Sequence, residues 1–243
     1  MIKKIEGIIL SSVDYKESSK IINVLTKEYG IIGFIAKGTK KVNSPLTAVT
    51  SKLTYGYFHV KYKENGLSTL MEVDVINRFK NIKKDISMMS YSLYLLELSD
   101  RVYKHSENNT IYDELIASLK KIDEGYDYQV ITNIFELKML DYLGIRPVVD
   151  ECVNCGSKHD IVTISSYKGG YLCKNCARGE VIVNIKTIKL LRMFYYVDIN
   201  KISKLEVSDS IKKELSRFIY DYYDRYSGIY LKSRDFLQSL ERI

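Results

Sequence analysis

The sequence predicts an α+β protein in which a small five-stranded β-barrel is followed by an α-helical domain, and a four-cysteine segment interrupts that domain. Residues 1–80 contain short β-rich runs separated by turn-forming residues. After residue 80 the apolar residues recur every three to four positions, as on one side of a packed helix. We therefore expect domains at 1–80 and 81–243, with the cysteine motif at 148–180.

Five β-forming runs make up the predicted barrel: KIEGIILSSV, KIINVLT, IIGFIAK, KLTYGYFHVKY and LSTLMEVDVI. Polar or glycine-containing links suited to tight turns separate the first three runs, and ENG at 64–66 predicts the turn between the last two. In the fifth run an alternation of period two predicts one mostly apolar face, formed by Leu67, Thr69, Met71, Val73 and Val75. Five strands at this spacing suggest a small barrel.

Five apolar stripes predict helices after residue 80: Ile82, Ile86, Met89, Leu93 and Leu96; Ile111, Leu115, Leu119 and Ile122; Val130, Ile134 and Leu137; Ile188, Leu191 and Tyr195; and Ile211, Leu215, Phe218 and Tyr222. Thr110 is a candidate N-cap for the second helix. Gly144 and Pro147 predict the end of the third, and the fifth should end near Gly228. The cysteine segment separates the third helix from the fourth.

Hydropathy and cysteine usage indicate the compartment. No run of eighteen apolar residues occurs, and the apolar N-terminal stretch becomes polar too soon for a signal sequence. We expect a cytoplasmic protein with no membrane partner. In a reducing compartment four clustered cysteines favour a metal site over disulfides.

The four cysteines form two Cys-x-x-Cys pairs, Cys152 with Cys155 and Cys173 with Cys176, separated by seventeen residues. Two such pairs can close a tetrahedron around one zinc ion, and the runs IVTISS and GGYLC between them predict the two short strands of a zinc ribbon. Four thiolates leave no open position for water, so we expect a structural zinc, one per chain. His159 is the alternative ligand, and a redox dithiol is a weaker alternative.

Charge is spread unevenly over the chain, whose net charge is +7. Residues 1–80 carry 13 basic and 7 acidic groups, whereas residues 147–180 carry 4 of each. A basic N-terminal module favours a polyanionic partner, with nucleic acid the commonest. The stretch AKGTKKVNSPL places Lys37, Lys40 and Lys41 after the third strand, where a flexible basic loop could hold a phosphate backbone. A solvated turn explains these lysines equally well.

Other features carry less weight. The tyrosines of the fourth strand, Tyr55, Tyr57 and Tyr62, could stack on bases, although strand tyrosines more often pack. The sequence contains no phosphate-binding loop and no GxGxxG, HExxH or GxSxG motif. We therefore expect no enzymatic activity.

Several stretches together resemble the bacterial RecO family of recombination mediators: GIILSSVDYKESSKIINVLTKEYG, AKGTKK, YSLYLLELSDRVY, FELKMLDYLGIRPVVDECVNCG, GGYLCKNC and GIYLKSRDFLQSL. They cover nearly the whole chain in the family's order. The resemblance implies an N-terminal OB-fold, a helical domain, zinc on Cys152, Cys155, Cys173 and Cys176, and a DNA-binding loop at Lys37, Lys40 and Lys41. The family loop often has arginine where this chain has lysine, which keeps the charge but loses bidentate geometry.

The resemblance also implies a function in DNA repair and homologous recombination. Such a protein binds single- and double-stranded DNA and anneals complementary strands. With RecR, and with RecF in some systems, it helps to load RecA onto strands coated by single-stranded-DNA-binding protein, in the cytoplasm at the nucleoid. Two alternatives are a zinc-ribbon scaffold or regulator that acts through protein contacts, and a nucleic-acid enzyme whose site has no recognisable motif.

Overall fold

The structure, a computed structural model, describes residues 1–41 and 44–240. Within that part of the chain, packing divides the protein into two compact units. The first unit comprises Met1–Asp123 together with the segment that begins at Leu231, and the second comprises Glu124–Tyr230. The first unit therefore contains the N-terminal strands and also helices that precede and follow the second unit in the sequence.

The strands of the first unit form a closed barrel: β1 (Ile2–Tyr15), β2 (Ser19–Thr26), β3 (Gly30–Ala36), β4 (Tyr55–Lys61) and β5 (Ser68–Asn77). Their order is β1-β2-β3-β5-β4, with β3 and β5 parallel and the other neighbouring pairs antiparallel. A five-stranded barrel of this kind is typical of an OB-fold. The predicted α+β class with an N-terminal five-stranded barrel is confirmed.

Inward-facing apolar side chains fill the barrel: Ile5, Ile9, Ile22, Val24, Phe34, Ala36, Phe58, Val60 and Leu70. The rings of Phe34 and Phe58 lie 5.8 Å apart at its centre. Full burial of one such large side chain contributes about 1.5–3 kcal/mol. This core therefore holds the strands in one register and fixes which residues reach the surface.

The predicted alternation along β5 holds for only part of the strand. The pairing with β4 passes from Glu72 to Leu70 and leaves Met71 as an extra residue in β5. Such a bulge reverses which side chains face the core. Leu70 is therefore buried and Met71 is 52% exposed, opposite to the prediction, whereas Val73 packs against the core as predicted.

Among the described residues, three α-helices belong to the first unit: α1 (Ile86–Ser106), α2 (Thr110–Asp123) and α6 (Lys232–Leu240). The predicted stripe of α2 is fully buried. Thr110 is the first helical residue rather than the cap, because the side chain of Asn108 accepts a 2.9 Å hydrogen bond from its N–H. The helix α6 was not predicted from periodicity.

The stripe predicted for the first helix holds only in part. Ile82 belongs to a separate 3₁₀ helix, Ile82–Lys84, and Asp85 caps α1 by accepting a 2.8 Å hydrogen bond from the N–H of Met88. Because α1 begins only after that cap, Ile86 is 72% exposed. Leu96 is buried in α1 as predicted. The same helix also buries Tyr91, Tyr94, Leu95, Leu98 and Val102.

The second unit contains α3 (Tyr128–Tyr142), β6 (Ile161–Ser165), β7 (Gly170–Cys173), α4 (Ile185–Tyr196) and α5 (Asp209–Tyr226). The stripes predicted for α3, α4 and α5 are buried. Gly144 and Gly228 follow α3 and α5 with φ of +71° and +63°, so both predicted helix ends are confirmed. The antiparallel pair β6 and β7 lies between α3 and α4, as predicted for the cysteine segment. No helix among the described residues combines the length and hydrophobicity that a membrane span requires.

Candidate metal centre and candidate nucleic-acid interface

The basic loop after β3 presents Lys37, Lys40 and Lys41, and all three side chains are exposed. Its backbone is anchored, because the N–H of Lys40 donates to the carbonyl of Ser18 at 3.3 Å. Gly38 turns the chain with φ of +71°, which glycine adopts without strain. Residues 42 and 43 of the same loop lie outside the described part of the chain. The described part of the loop therefore exposes three lysines and is held at Lys40 by a backbone hydrogen bond.

One of these lysines has a carboxylate partner. Lys40 Nζ lies 2.8 Å from Asp14 Oδ2, and this hydrogen bond lowers the pKa of the Asp14 carboxyl. Both side chains are largely exposed, so the pair contributes little to stability. Among the described residues, Lys37 and Lys41 have no carboxylate within ion-pair distance. The two can therefore meet a phosphate without first breaking an ion pair.

The three tyrosines that could stack on bases lie in different surroundings. Tyr55 is buried, with its hydroxyl hydrogen-bonded to a carboxylate of β1. Tyr57 lies beneath a lysine that also contacts a carboxylate. The ring centroid of Tyr62 lies 3.9 Å from Nζ of Lys3. The same Nζ also lies over the ring of Tyr29. Sequence reasoning missed Tyr29 because a turn residue has no periodic pattern.

The four cysteines meet in the second unit. Sγ atoms of Cys152, Cys155, Cys173 and Cys176 all lie within 4.8 Å of one another, and the Sγ atoms of Cys155 and Cys173 are 3.7 Å apart. Zn–S bonds of about 2.3 Å in a tetrahedron place neighbouring sulfurs about 3.8 Å apart. The predicted grouping of these residues is confirmed, and they could hold a metal ion. His159, the alternative ligand, is not in the group.

Backbone hydrogen bonds shape both cysteine turns. The carbonyl of Cys152 accepts from the N–H of Gly156 at 2.8 Å, and the carbonyl of Cys173 accepts from the N–H groups of Cys176 and Ala177 at 2.9 Å. Gly156 has φ of +72°, which closes the first turn without a Cβ clash. Backbone hydrogen bonds within each turn therefore define its shape, and the two cysteines of each pair point to the same side.

The thiols do not ionise alike. Burial raises the pKa of Cys152, but backbone N–H donors of Cys173, Cys155 and Asn154 outweigh it and lower the pKa to about 6. Hydrogen bonds with the sulfurs of Cys155 and Cys173 raise the pKa of Cys176 to about 12. One thiolate thus opposes the formation of others beside it. A divalent cation would remove that opposition by binding all four as thiolates.

The cysteines have a small apolar support of their own. Cys152, Leu172, Cys173 and Ala177 form a buried cluster, and Val162 packs against it. Four sulfur ligands fill a tetrahedral shell and leave no position for water or substrate, as in structural zinc sites. The donor set fits a metal that holds this segment in shape.

A groove with a basic rim runs along α4. It has a volume of about 510 Å³ and is lined by Lys189, Arg192, Met193, Tyr196 and Val197. Asp150, which precedes the first cysteine pair, accepts a 2.8 Å hydrogen bond from Nε of Arg192 and another from the hydroxyl of Tyr196. Two residues of the groove are therefore held in place by the start of the cysteine segment.

Comparison with protein-family models gives two matches that follow each other along the chain. Residues 1–79 match "Recombination protein O N terminal", and residues 83–235 match "Recombination protein O C terminal".

Curated relatives agree with these matches. The chain is 38% identical to the "DNA repair protein RecO" of Listeria innocua serovar 6a, over 99% of this chain and 95% of that protein. It is 38% identical to the protein of the same description from Halalkalibacterium halodurans, covering 99% and 96% of the two chains. It is 36% identical to the one from Bacillus pumilus, covering 99% and 95%.

Proposed function

The chain belongs to the RecO family of DNA repair proteins, and we propose that it acts in repair as a recombination mediator. It binds single- and double-stranded DNA and anneals complementary strands. Together with RecR, and with RecF as a further partner, it helps to load RecA onto strands coated by single-stranded-DNA-binding protein. The nucleoid is then its place of action, and the reaction needs no catalytic residue.

The anchored basic loop is the observation that supports this proposal. Annealing is slow because two polyanions repel each other, and a protein that neutralises phosphates on both strands raises their local concentration and releases counterions. Lys37, Lys40 and Lys41 are exposed cations at the surface of an OB-type barrel, and a backbone hydrogen bond anchors their loop at Lys40. Ammonium groups bind phosphates as point charges and carry no base specificity, which suits a protein that acts on any sequence.

Replacement of the three lysines by glutamate tests the assignment. DNA affinity should fall, and the slope of log affinity against log salt should become shallower, by up to about 0.9 per lost phosphate contact on duplex DNA. A matched control changes Lys80, Lys83 and Lys84 to glutamate, because these are also exposed lysines of the first unit. If the loop and control variants lose affinity equally, only net charge matters. Unchanged affinity and slope in the loop variant would remove the loop from the DNA interface.

One experiment separates the mediator from the two alternatives. Purified protein is mixed with complementary strands, with and without divalent metal and without ATP, and both annealing and cleavage are followed. Annealing without cleavage supports the mediator. Cleavage indicates a nucleic-acid enzyme, and neither activity leaves the zinc-ribbon scaffold or regulator that acts through protein contacts.

The α4 groove of the second unit supports the proposed binding of single-stranded-DNA-binding protein. The acidic tail of single-stranded-DNA-binding protein needs an apolar seat with a basic rim, and the groove offers Met193 and Tyr196 beside Lys189 and Arg192. Arg101 and Arg146 do not line this groove. The change Arg192→Glu should weaken binding of a tail peptide and leave DNA affinity unchanged.

We further propose that the metal is one structural zinc ion held by Cys152, Cys155, Cys173 and Cys176. When bound, zinc would supply only a cross-link between the two turns, because four thiolates complete its shell. Metal analysis of protein purified without added zinc should give about one zinc per chain.

A further inference from the structure

Three side chains from separate segments meet at one place on the barrel: Lys3 of β1, Tyr29 in the turn between β2 and β3, and Tyr62 just after β4. Nζ of Lys3 lies 3.9 Å from the ring centroid of Tyr62 and 4.6 Å from that of Tyr29. It also donates a 3.4 Å hydrogen bond to the hydroxyl of Tyr29. The two rings are 5.9 Å apart and tilted by 40°. We call these three residues the Tyr29 cluster.

Backbone hydrogen bonds anchor both tyrosine residues of the Tyr29 cluster. The N–H of Tyr62 donates to the carbonyl of Met1 at 2.9 Å, and the ring packs against the barrel core. The N–H of Tyr29 donates to Oγ1 of Thr26 at 2.9 Å, and that hydroxyl donates to the carbonyl of Gly30 at 2.8 Å. Tyr29 nevertheless remains 41% exposed. The cluster therefore exposes part of an aromatic residue to solvent from an anchored turn.

A second lysine–tyrosine contact on the same barrel is arranged differently. Nζ of Lys4 lies 4.4 Å from the ring centroid of Tyr57 and 3.5 Å from Oδ2 of Asp74, which also accepts from His59. That lysine already has a carboxylate partner. Among the described residues Lys3 has no carboxylate within ion-pair distance, so its charge is compensated only by ring faces and water.

We propose that the Tyr29 cluster binds one unpaired nucleotide of single-stranded DNA, with the base stacked on the exposed ring of Tyr29 and the adjoining phosphate at Lys3. This inference rests on the proposed DNA-binding function and deepens it. Every base has a π-face, so stacking on tyrosine tolerates any sequence. A base inside a duplex has both faces covered by its neighbours. The cluster therefore favours single-stranded over double-stranded DNA, whereas the basic loop binds phosphates of either.

The two sites lie at opposite ends of β2. The basic loop is anchored at Ser18, directly before β2, and the hydroxyl of Thr26 at the end of β2 holds Tyr29. Eight residues at about 3.3 Å each separate these ends by roughly 25 Å. At that distance substitutions at the two sites should act additively. The effects of the loop and of the cluster can therefore be measured independently.

The test compares three DNA ligands of equal length: oligothymidylate, an abasic oligonucleotide with the same phosphates, and a duplex. The change Tyr29→Ala should weaken oligothymidylate binding roughly 5- to 150-fold, the range expected for loss of one base stack. Binding of the abasic strand and of the duplex should stay within about twofold. Tyr29→Phe keeps the ring and should behave like the unchanged protein. Tyr167→Ala is the matched control, because Tyr167 is an exposed turn tyrosine with cations over its ring but lies in the second unit; it should leave all three affinities unchanged.

Each outcome decides the inference. A loss confined to oligothymidylate supports it. Equal losses on the abasic strand and on oligothymidylate, or unchanged oligothymidylate binding by a folded Tyr29→Ala protein, overturn the cluster while the DNA-binding function stands. If the unchanged protein binds none of the three ligands, the proposed function fails together with the inference. Because Tyr29 is an exposed turn residue, the variant should fold, and its melting curve checks this.

Discussion

Tyr112 of α2 donates its phenol hydrogen to Oε1 of Glu6 in β1 at 2.9 Å, and Tyr55 of β4 donates to the same oxygen at 2.8 Å. Tyr112 is only 2% exposed. A single carboxylate oxygen therefore joins a helix and two strands of the first unit. Buried hydroxyls need such partners, because water cannot replace them.

The change Tyr112→Phe should lower the free energy of unfolding by about 1 kcal/mol, the usual net value of one such hydrogen bond. Glu6→Ala should cost more, because it leaves two buried phenols without their acceptor. Urea unfolding at pH 7 measures both. Tyr15→Phe, at an exposed tyrosine, is the control and should change the value by less than about 0.5 kcal/mol. A Tyr112→Phe protein as stable as the parent would show that the bond contributes nothing.

The same tyrosines predict a loss of stability at alkaline pH. Burial and the Glu6 hydrogen bond raise the pKa of Tyr55 to about 12, and burial with the Tyr55 contact raises that of Tyr112. These phenols ionise near pH 10 in the unfolded chain but remain protonated there in the folded chain. Above about pH 10 the folded chain therefore binds more protons than the unfolded chain. Stability should therefore fall as the pH rises from about 10 through 12. Unfolding followed from pH 8 to 12 should show a flatter decline in Tyr55→Phe; an equal decline would contradict the assignment.

Local pattern was enough to predict most elements, because the strands and helices bury one face each. The stripe Ile111, Leu115, Leu119 and Ile122 is fully buried in α2. Exceptions arose where one local event changes the phase of the pattern. The bulge at Met71 reverses which side chains of β5 face the core. The cap at Asp85 makes α1 begin after Ile82. Neither event has a signature in hydrophobic periodicity.

The candidate sites divide in the same way. Cys152 and its three partners share a spacing that defines their geometry, so the sequence predicted their grouping. Lys3 and Tyr62 are far apart in the sequence and meet only because β4 closes the barrel against β1. The Lys40 pair with Asp14 likewise depends on the packing of the loop against the end of β1. Contacts that depend on closure cannot be found from local patterns.

The ion pair between Lys40 and Asp14 predicts a variant with stronger DNA binding. Lys40 must exchange Asp14 for a phosphate when DNA binds, so Asp14→Asn should raise affinity at low salt by roughly 2- to 5-fold. The gain should shrink as salt screens both interactions. Fluorescence anisotropy with a labelled duplex at several salt concentrations measures it. The gain should be absent when Lys40→Met is already present; a gain that persists there would mean that Asp14 acts through general repulsion.

Removal of one metal ligand should affect folding before it affects DNA. Cys152 is buried, and Cys152→Ser removes one of the four sulfur ligands. The first cysteine turn then loses its metal cross-link to the second. The melting temperature should fall by roughly 10 °C or more, since each kcal/mol lost corresponds to about 2–4 °C in a chain of this size. A chelator should lower the melting temperature of the parent and have no further effect on the variant. DNA affinity, measured below both melting transitions, should stay close to that of the parent because the basic loop belongs to the other unit. A stable, metal-free Cys152→Ser protein that loses only DNA binding would assign the cysteine segment to the DNA interface instead.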